Sequence, residues 1–300
     1  MALSPSFTSA RAAAREAAGA QDYPKGALYV VATPIGNLAD ITLRALHVLE
    51  LADCIACEDT RHTQALLRAY GLEHGGDRLL AVHEHNEAEM AARVLARLQA
   101  GERVAYASDA GTPGVSDPGA RLAAAVRGAG LRVVPVPGPS SVTALASVAG
   151  AAGEGGFVFA GFLPAKPGER QAAVDALAHE SRAVVLLEAP HRIDGLARAL
   201  AALGERTVTV GRELTKQFEQ LATLSCAALP GWLAADPQRS RGEFTLLLHP
   251  AAAVQADDSE RVLRLLLGEL PVKAAVKLAA EITGAPRNAL YQKALRIKGD

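Results

Sequence analysis

From Leu28 onward, short apolar runs alternate with stretches whose apolar residues recur every three or four positions. The runs Leu28–Ala32, Cys54–Cys57, Leu79–Val82, Val104–Ser108 and Val133–Val136 predict strands. The amphipathic stretches Thr42–Leu51, Thr60–Tyr70, Glu87–Leu98 and Gly119–Ala129 predict helices between them. Strands interleaved with helices make βαβ units and a mainly parallel sheet over residues 27–137. Ligands of such sheets sit beyond the carboxyl ends of the strands. Pro135-Val136-Pro137-Gly138-Pro139 interrupts the rhythm, and its fixed φ angles predict a stiff connector. Strands then resume at Phe157–Ala160, Val184–Glu188 and Thr207–Arg212. Phe218–Thr223 and Phe244–His249 follow as a hairpin-like antiparallel portion of a second, mixed α/β domain, residues 138–250. Residues 251–259 read as a linker. Residues 260–300 carry only helical periodicity, with Gly284-Ala285-Pro286 between two short helices.

Charge sharpens this picture at the carboxyl end. The whole chain has a net charge of −1, so nucleic-acid contact must come from local patches. Over residues 271–300, Lys273, Lys277, Arg287, Lys293, Arg296 and Lys298 face only Glu281 and Asp300, a local net of +4. A solvated helix face is the plainer account of such a run. Aromatics make up 4% of the chain, which excludes recognition spread over many stacking platforms. Three cysteines suit a reducing compartment, and we expect a cytoplasmic protein. No apolar run approaches the roughly 20 residues of a membrane span, so no membrane partner is expected. Residues 1–26 contain Arg11 and Arg15 but no apolar leader segment, and read as a disordered or loosely helical extension.

Four loops fall where chemistry belongs: Thr33–Leu38, Glu58–Arg61, Ser108–Gly119 and Pro137–Val142. Their glycines admit close backbone approach, and their aspartates accept hydrogen bonds from hydroxyl or amino groups. GxGxxG after the first strand, GxxxxGK[ST] and GxSxG are all absent, which excludes the usual dinucleotide, P-loop and hydrolase-elbow sites. Cys54-Ile55-Ala56-Cys57 matches CxxC, but positions three apart on a strand point to opposite faces, so buried thiols are expected. His83 and His85 share a strand face without a third ligand, and no metal site is expected.

The run Leu28–Leu38, with Glu58-Asp59-Thr60-Arg61 and Ser108-Asp109-Ala110-Gly111-Thr112-Pro113, resembles the ribosomal RNA small subunit methyltransferase I family. Val136–Ser141, Gly161-Phe162-Leu163-Pro164, Glu188-Ala189-Pro190-His191-Arg192 and Gly211–Lys216 fit it as well. The resemblance implies a two-domain tetrapyrrole-methylase-like α/β fold with a small helical tail, and a homodimer. It also implies S-adenosylmethionine as donor, and 2′-O-methylation of a cytidine in 16S rRNA of the small ribosomal subunit. It would place the donor against Pro34, Asp109, Thr112, Ser140 and Ser141. The first loop reads Thr-Pro-Ile-Gly-Asn where ring-methylating relatives carry a GxGPGD-like sequence, which points away from a tetrapyrrole substrate.

A ribose hydroxyl is a weak nucleophile until its proton is shared, so a carboxylate or lysine is expected nearby. Glu58 and Asp59 are the first candidates, with Glu188, Glu213, Lys166 and Lys216 in reserve. The same segment also reads as a helix N-cap, since Asp and Thr cap well. Asn37, Arg61, Lys166, Arg170, His191, Arg192 and Arg212 are candidate RNA contacts, joined by Lys273 and Lys277 of the tail. A methyltransferase of a small ring substrate and a non-catalytic RNA-binding module are the competing readings. The basic tail disfavours the first and the Asp109 loop the second.

Overall fold

Successive residues of the first strands point to opposite faces of the first sheet, and both faces are buried. In a computed structural model, which describes residues 7–72, 78–82, 86–117, 119–151, 155–251 and 258–299, β1 spans Ala27–Val31, β2 Cys54–Cys57, β3 Leu79–Ala81, β4 Val104–Ala107 and β5 Arg132–Val136. They form a wholly parallel sheet in the order β3-β2-β4-β1-β5. Tyr29, Val31, Ile55, Ala105 and Ala107 face one cluster with helices α1 (Thr8–Ala18), α2 (Leu43–Leu51) and α3 (Thr60–Ala69). Leu28, Cys54, Ala56, Val104 and Tyr106 face the other, with α4 (Glu87–Gln99) and α5 (Gly119–Gly128). Both faces are covered, so the strands are apolar throughout. Burial pushes the thiols of Cys54, Cys57 and Cys226 up to about 11, leaving them inert. His83 and His85 lie outside the described residues.

Three expectations need correction. The extension is neither disordered nor loose over Thr8–Ala18, which form the packed helix α1: its small Ala14 and Ala18 bury against the sheet's first cluster, and Arg11 and Arg15 both reach Glu50 at 2.5 Å. Pro135 and Val136, covered by both the predicted strand and the predicted connector, belong to β5, which leaves the connector only Pro137 onward. A proline is tolerated there because β5 is an edge strand. The third concerns the second sheet.

That sheet holds β6 (Phe157–Phe162), β7 (Ala183–Glu188), β8 (Thr207–Arg212), β9 (Gln220–Ser225) and β10 (Phe244–Leu248) in the order β6-β7-β10-β8-β9. Only β6 and β7 run parallel, so it is mixed. β9 and β10, expected to pair with each other, instead flank β8 on opposite sides. All five residues of β10 are buried, as in a central strand covered on both faces, whereas β9 alternates in burial with one face in water. Helix α6 (Ser141–Ala149) packs Val142 and Leu145 against Val185 and Leu247 of this sheet.

The chain divides into two compact units, the second comprising residues 176–181 and 250–300. In that unit α10 (Asp258–Glu269), α11 (Val272–Thr283) and α12 (Arg287–Gly299) enclose Leu263, Ala275, Val276, Ala279, Leu290 and Ala294. Leu278, Ile282 and Leu295 are exposed, and the small Ala275, Ala279 and Ala294 fill the seam. Among the described residues, no helix is long and apolar enough to cross a membrane.

Candidate functional site

A cavity of about 470 Å³ opens in the first unit at the carboxyl ends of β2, β4 and β7. β10 begins at the same end because it runs antiparallel to β7, and it contributes Phe244 and Thr245. The loops around the cavity are tied together through their backbones. Thr33 and Gly111 exchange two amide–carbonyl hydrogen bonds of 2.9 and 3.0 Å. Thr112 Oγ1 donates to the Pro139 carbonyl at 2.9 Å, joining the β4 loop to the segment that enters α6. Asp117 accepts the amides of Gly114 and Gly119 at 2.8 Å and the Tyr106 hydroxyl at 3.2 Å, so one carboxylate shapes the turn into α5.

The cavity is acidic. Glu58, Asp109, Asp117, Glu188 and Glu243 line it, and among the described residues no lysine or arginine does. Glu58 stands exposed at its rim, yet its carboxyl is raised above the ordinary range, first by partial burial and then by the charges of Asp109, Asp117 and Asp59. Asp59 is the opposite case. It caps α3, accepting the Arg61 amide at 2.8 Å and the Arg61 guanidinium at 2.8 Å, and these bonds hold it far below the usual carboxylate range. Glu188 is fully enclosed. Its Oε1 accepts the Ala189 amide at 2.9 Å and lies 3.0 Å from Arg192 Nε, close enough for an ion pair but not aligned as a hydrogen bond. Its Oε2 has no hydrogen-bond partner among the described residues. A buried carboxylate oxygen left in this state is poised for a donor group on a ligand.

Beside the cavity the backbone is strained. Glu213 and Thr215 sit at φ 51° and 67°, a region that disfavours side chains, between β8 and β9. Lys216 holds the turn, reaching Glu213 and Glu243 at 2.9 Å each. Burial works against the Lys216 charge, but the two carboxylates outweigh it and raise the amine, so it stays an ammonium rather than a base. A side chain at Gly36 would meet Lys216 Cγ at 2.4 Å, so the β1 loop is packed directly on this turn.

Of the residues singled out in the sequence, Glu58, Asp109, Thr112, Ser140 and Ser141 line the cavity together. Pro34 is buried and not among the lining residues; its neighbour Ile35 is. Asn37 caps a short 3-10 turn through the Ala39 amide at 3.0 Å. Arg61 is exposed on Asp59, and Lys166 is exposed on Glu169 at 3.0 Å. His191 is exposed, next to the lining residue Pro190. Arg192 turns inward to Glu188 and donates to the Leu163 carbonyl. Lys273 and Lys277 are exposed on α11 of the second unit. Val115 and Asp117 line the cavity from the predicted Ser108–Gly119 loop, whereas Phe162 and Glu243 were not among the predicted site residues. Phe162 sat within a motif already noted, whereas nothing local marked Glu243.

Residues 27–230 match the family of tetrapyrrole (corrin/porphyrin) methylases, and residues 253–298 match the RsmI C-terminal HTH domain. The chain is 46% identical over 283 residues to ribosomal RNA small subunit methyltransferase I of Escherichia coli O157:H7, covering 93% of this chain and 98% of that protein. It is 48% identical over 278 residues to the protein of the same name from Neisseria meningitidis serogroup A, covering 91% and 94%. A solved uroporphyrin-III-C-methyltransferase from Thermus thermophilus shares the fold, with a TM-score of 0.54 at 24% identity over 78% of this chain and 98% of that one. With the two-sheet architecture and nearly the full length of these relatives matched, the chain belongs to the tetrapyrrole methylase family and, within it, to the ribosomal RNA small subunit methyltransferase I family.

Proposed function

We propose that this protein methylates the 2′-hydroxyl of a cytidine ribose in 16S rRNA of the small ribosomal subunit. The observation that supports it most is the near-full-length identity to proteins of that name, tail included. S-adenosylmethionine is the methyl donor. It supplies an electrophilic methyl group on a cationic sulfur. The cavity suits such a group: its volume lies within the roughly 300–1,000 Å³ of ligand sites, and it offers carboxylates and hydroxyls with no lysine or arginine among its described lining residues.

The chain's own residues then have three tasks. Asp109, Thr112, Ser140 and Ser141 bind and orient the donor, and the tied loops keep them in place before it arrives, so positioning supplies much of the acceleration. Glu58 accepts the ribose proton; its raised carboxyl makes it a better base than Asp59, whose oxygens are committed to capping α3. Lys273 and Lys277 of the helical tail meet RNA phosphates. The protein acts in the cytoplasm as a homodimer.

The test supplies labelled S-adenosylmethionine with purified small subunits, free 16S rRNA or a uroporphyrinogen. Label in RNA supports the proposal. Label in the tetrapyrrole, with none in RNA, would refute it.

A further inference from the structure

Strand β6 slips by one residue against β7. Phe159 lies opposite Val185, Gly161 opposite Leu186 and Phe162 opposite Leu187, so Ala160 has no counterpart. In an unbroken strand, residues three apart point to opposite faces. The extra residue cancels that alternation and brings Phe162 onto the face of Val185 and Leu187, the face on which the cavity opens. Gly161 takes the bulge at φ +65°, where a side chain would be strained. The consequence is a phenylalanine that lines the cavity with half its surface, 50%, still in water. Phe159, on the same strand, packs instead against the core. Bulges beside functional sites commonly re-aim one side chain, and here the re-aimed chain is a bare aromatic ring.

We propose that Phe162 is the platform on which the target nucleobase stacks, so that the nucleotide is received unstacked from its RNA neighbours. This rests on the RNA methyltransferase reading. Arg192 and Lys216 pair with Glu188 and Glu243, but Glu58, Asp109 and Asp117 leave the described lining of the cavity net negative, which repels phosphate, so the RNA backbone stays outside and the nucleoside enters. A nucleotide that enters the cavity to set its ribose between Glu58 and the donor is splayed from its neighbours, and a splayed base loses the faces it stacked on. An exposed ring on the cavity wall replaces one of them. Phe162 provides this without selecting the base, because every base has a π face. The adenine of the donor is the rival nucleobase; half exposure places the ring where an entering nucleotide meets it, rather than in the enclosed interior beside Glu188.

The test compares full-length wild type with Phe162→Ala, Phe162→Leu and Phe162→Tyr in steady-state methylation of small-subunit RNA, with donor binding by calorimetry and a melting curve for each. Loss of a stacked base costs about tenfold or more in apparent affinity. The Ala and Leu variants should therefore raise KM for RNA by that factor, while Tyr restores it and donor affinity and Tm stay at wild-type values. A Leu variant with wild-type KM would overturn the proposal, since apolar packing would then suffice. So would weakened donor binding, which would assign the ring to adenine. If wild type methylates RNA and the Ala variant matches it, the platform fails alone; if wild type methylates no RNA, the functional reading fails with it.

Discussion

The cavity and the helical tail carry opposite charge, and the difference separates two binding tasks. Among the described residues, the cavity presents five carboxylates and no lysine or arginine. The last thirty residues of the chain carry a net +4. A sulfonium donor is attracted to the first and repelled by the second, and RNA phosphate the reverse. A single site of either sign would serve one ligand at the expense of the other. On the proposed function, segregating its charge rather than averaging it would let a nearly neutral chain bind a polyanion without compromising a pocket for a cation.

The contrast is broken most severely at the cavity rim. Glu58→Gln should lower the single-turnover rate by about 10²–10⁴ with little change in donor affinity, because the lost interaction belongs to the transition state. Wild-type rate should fall as pH drops through the raised Glu58 carboxyl, and the variant should lack that limb. Stability moves the other way. A carboxyl raised on folding favours the fold below its unfolded value and loses that contribution as pH rises through its folded value. Ionised Glu58 is therefore a liability at neutral pH, and Glu58→Gln should raise Tm there while activity collapses.

Next in size, Asp109→Ala should weaken donor binding by about 1–3 kcal/mol if the carboxylate makes a charge-assisted contact. Unchanged affinity by calorimetry in a folded variant would remove Asp109 from the donor site. Asp59→Ala should cost about 0.5–2 kcal/mol of stability through the lost cap of α3, with transfer rates close to wild type. A rate loss as large as that of Glu58→Gln would reverse the roles of the two neighbours. The smallest effect belongs to the tail. Lys273→Ala and Lys277→Ala should each reduce the salt slope of RNA binding by about 1 and leave donor binding untouched. Identical slopes would make α11 merely a solvated face.

The neighbours Glu58 and Asp59 show where sequence stops being legible. Both were visible as strand-end carboxylates, but which one enters the cavity depends on the direction of its side chain and on Arg61, which captures Asp59. The strands of the first sheet were readable to within about a residue because buried runs bounded by turns leave few alternatives. The order of the second sheet was not. Local pattern marked β9 and β10 as strands but does not specify partners, and only the fold itself puts β10 between β7 and β8. The packing of helix α1 was hidden by its alanines, which signal no apolar face until they meet a sheet. Phe162 was hidden by the bulge, since its parity in the sequence points it away from the face it occupies.

The most direct measurement is mass analysis of nucleosides from small-subunit RNA methylated by the wild-type protein, with Glu58→Gln as control. The account predicts label in 2′-O-methylcytidine, at one position, and almost none with the variant. Label in a base-methylated nucleoside, or equal labelling by Glu58→Gln, would contradict it.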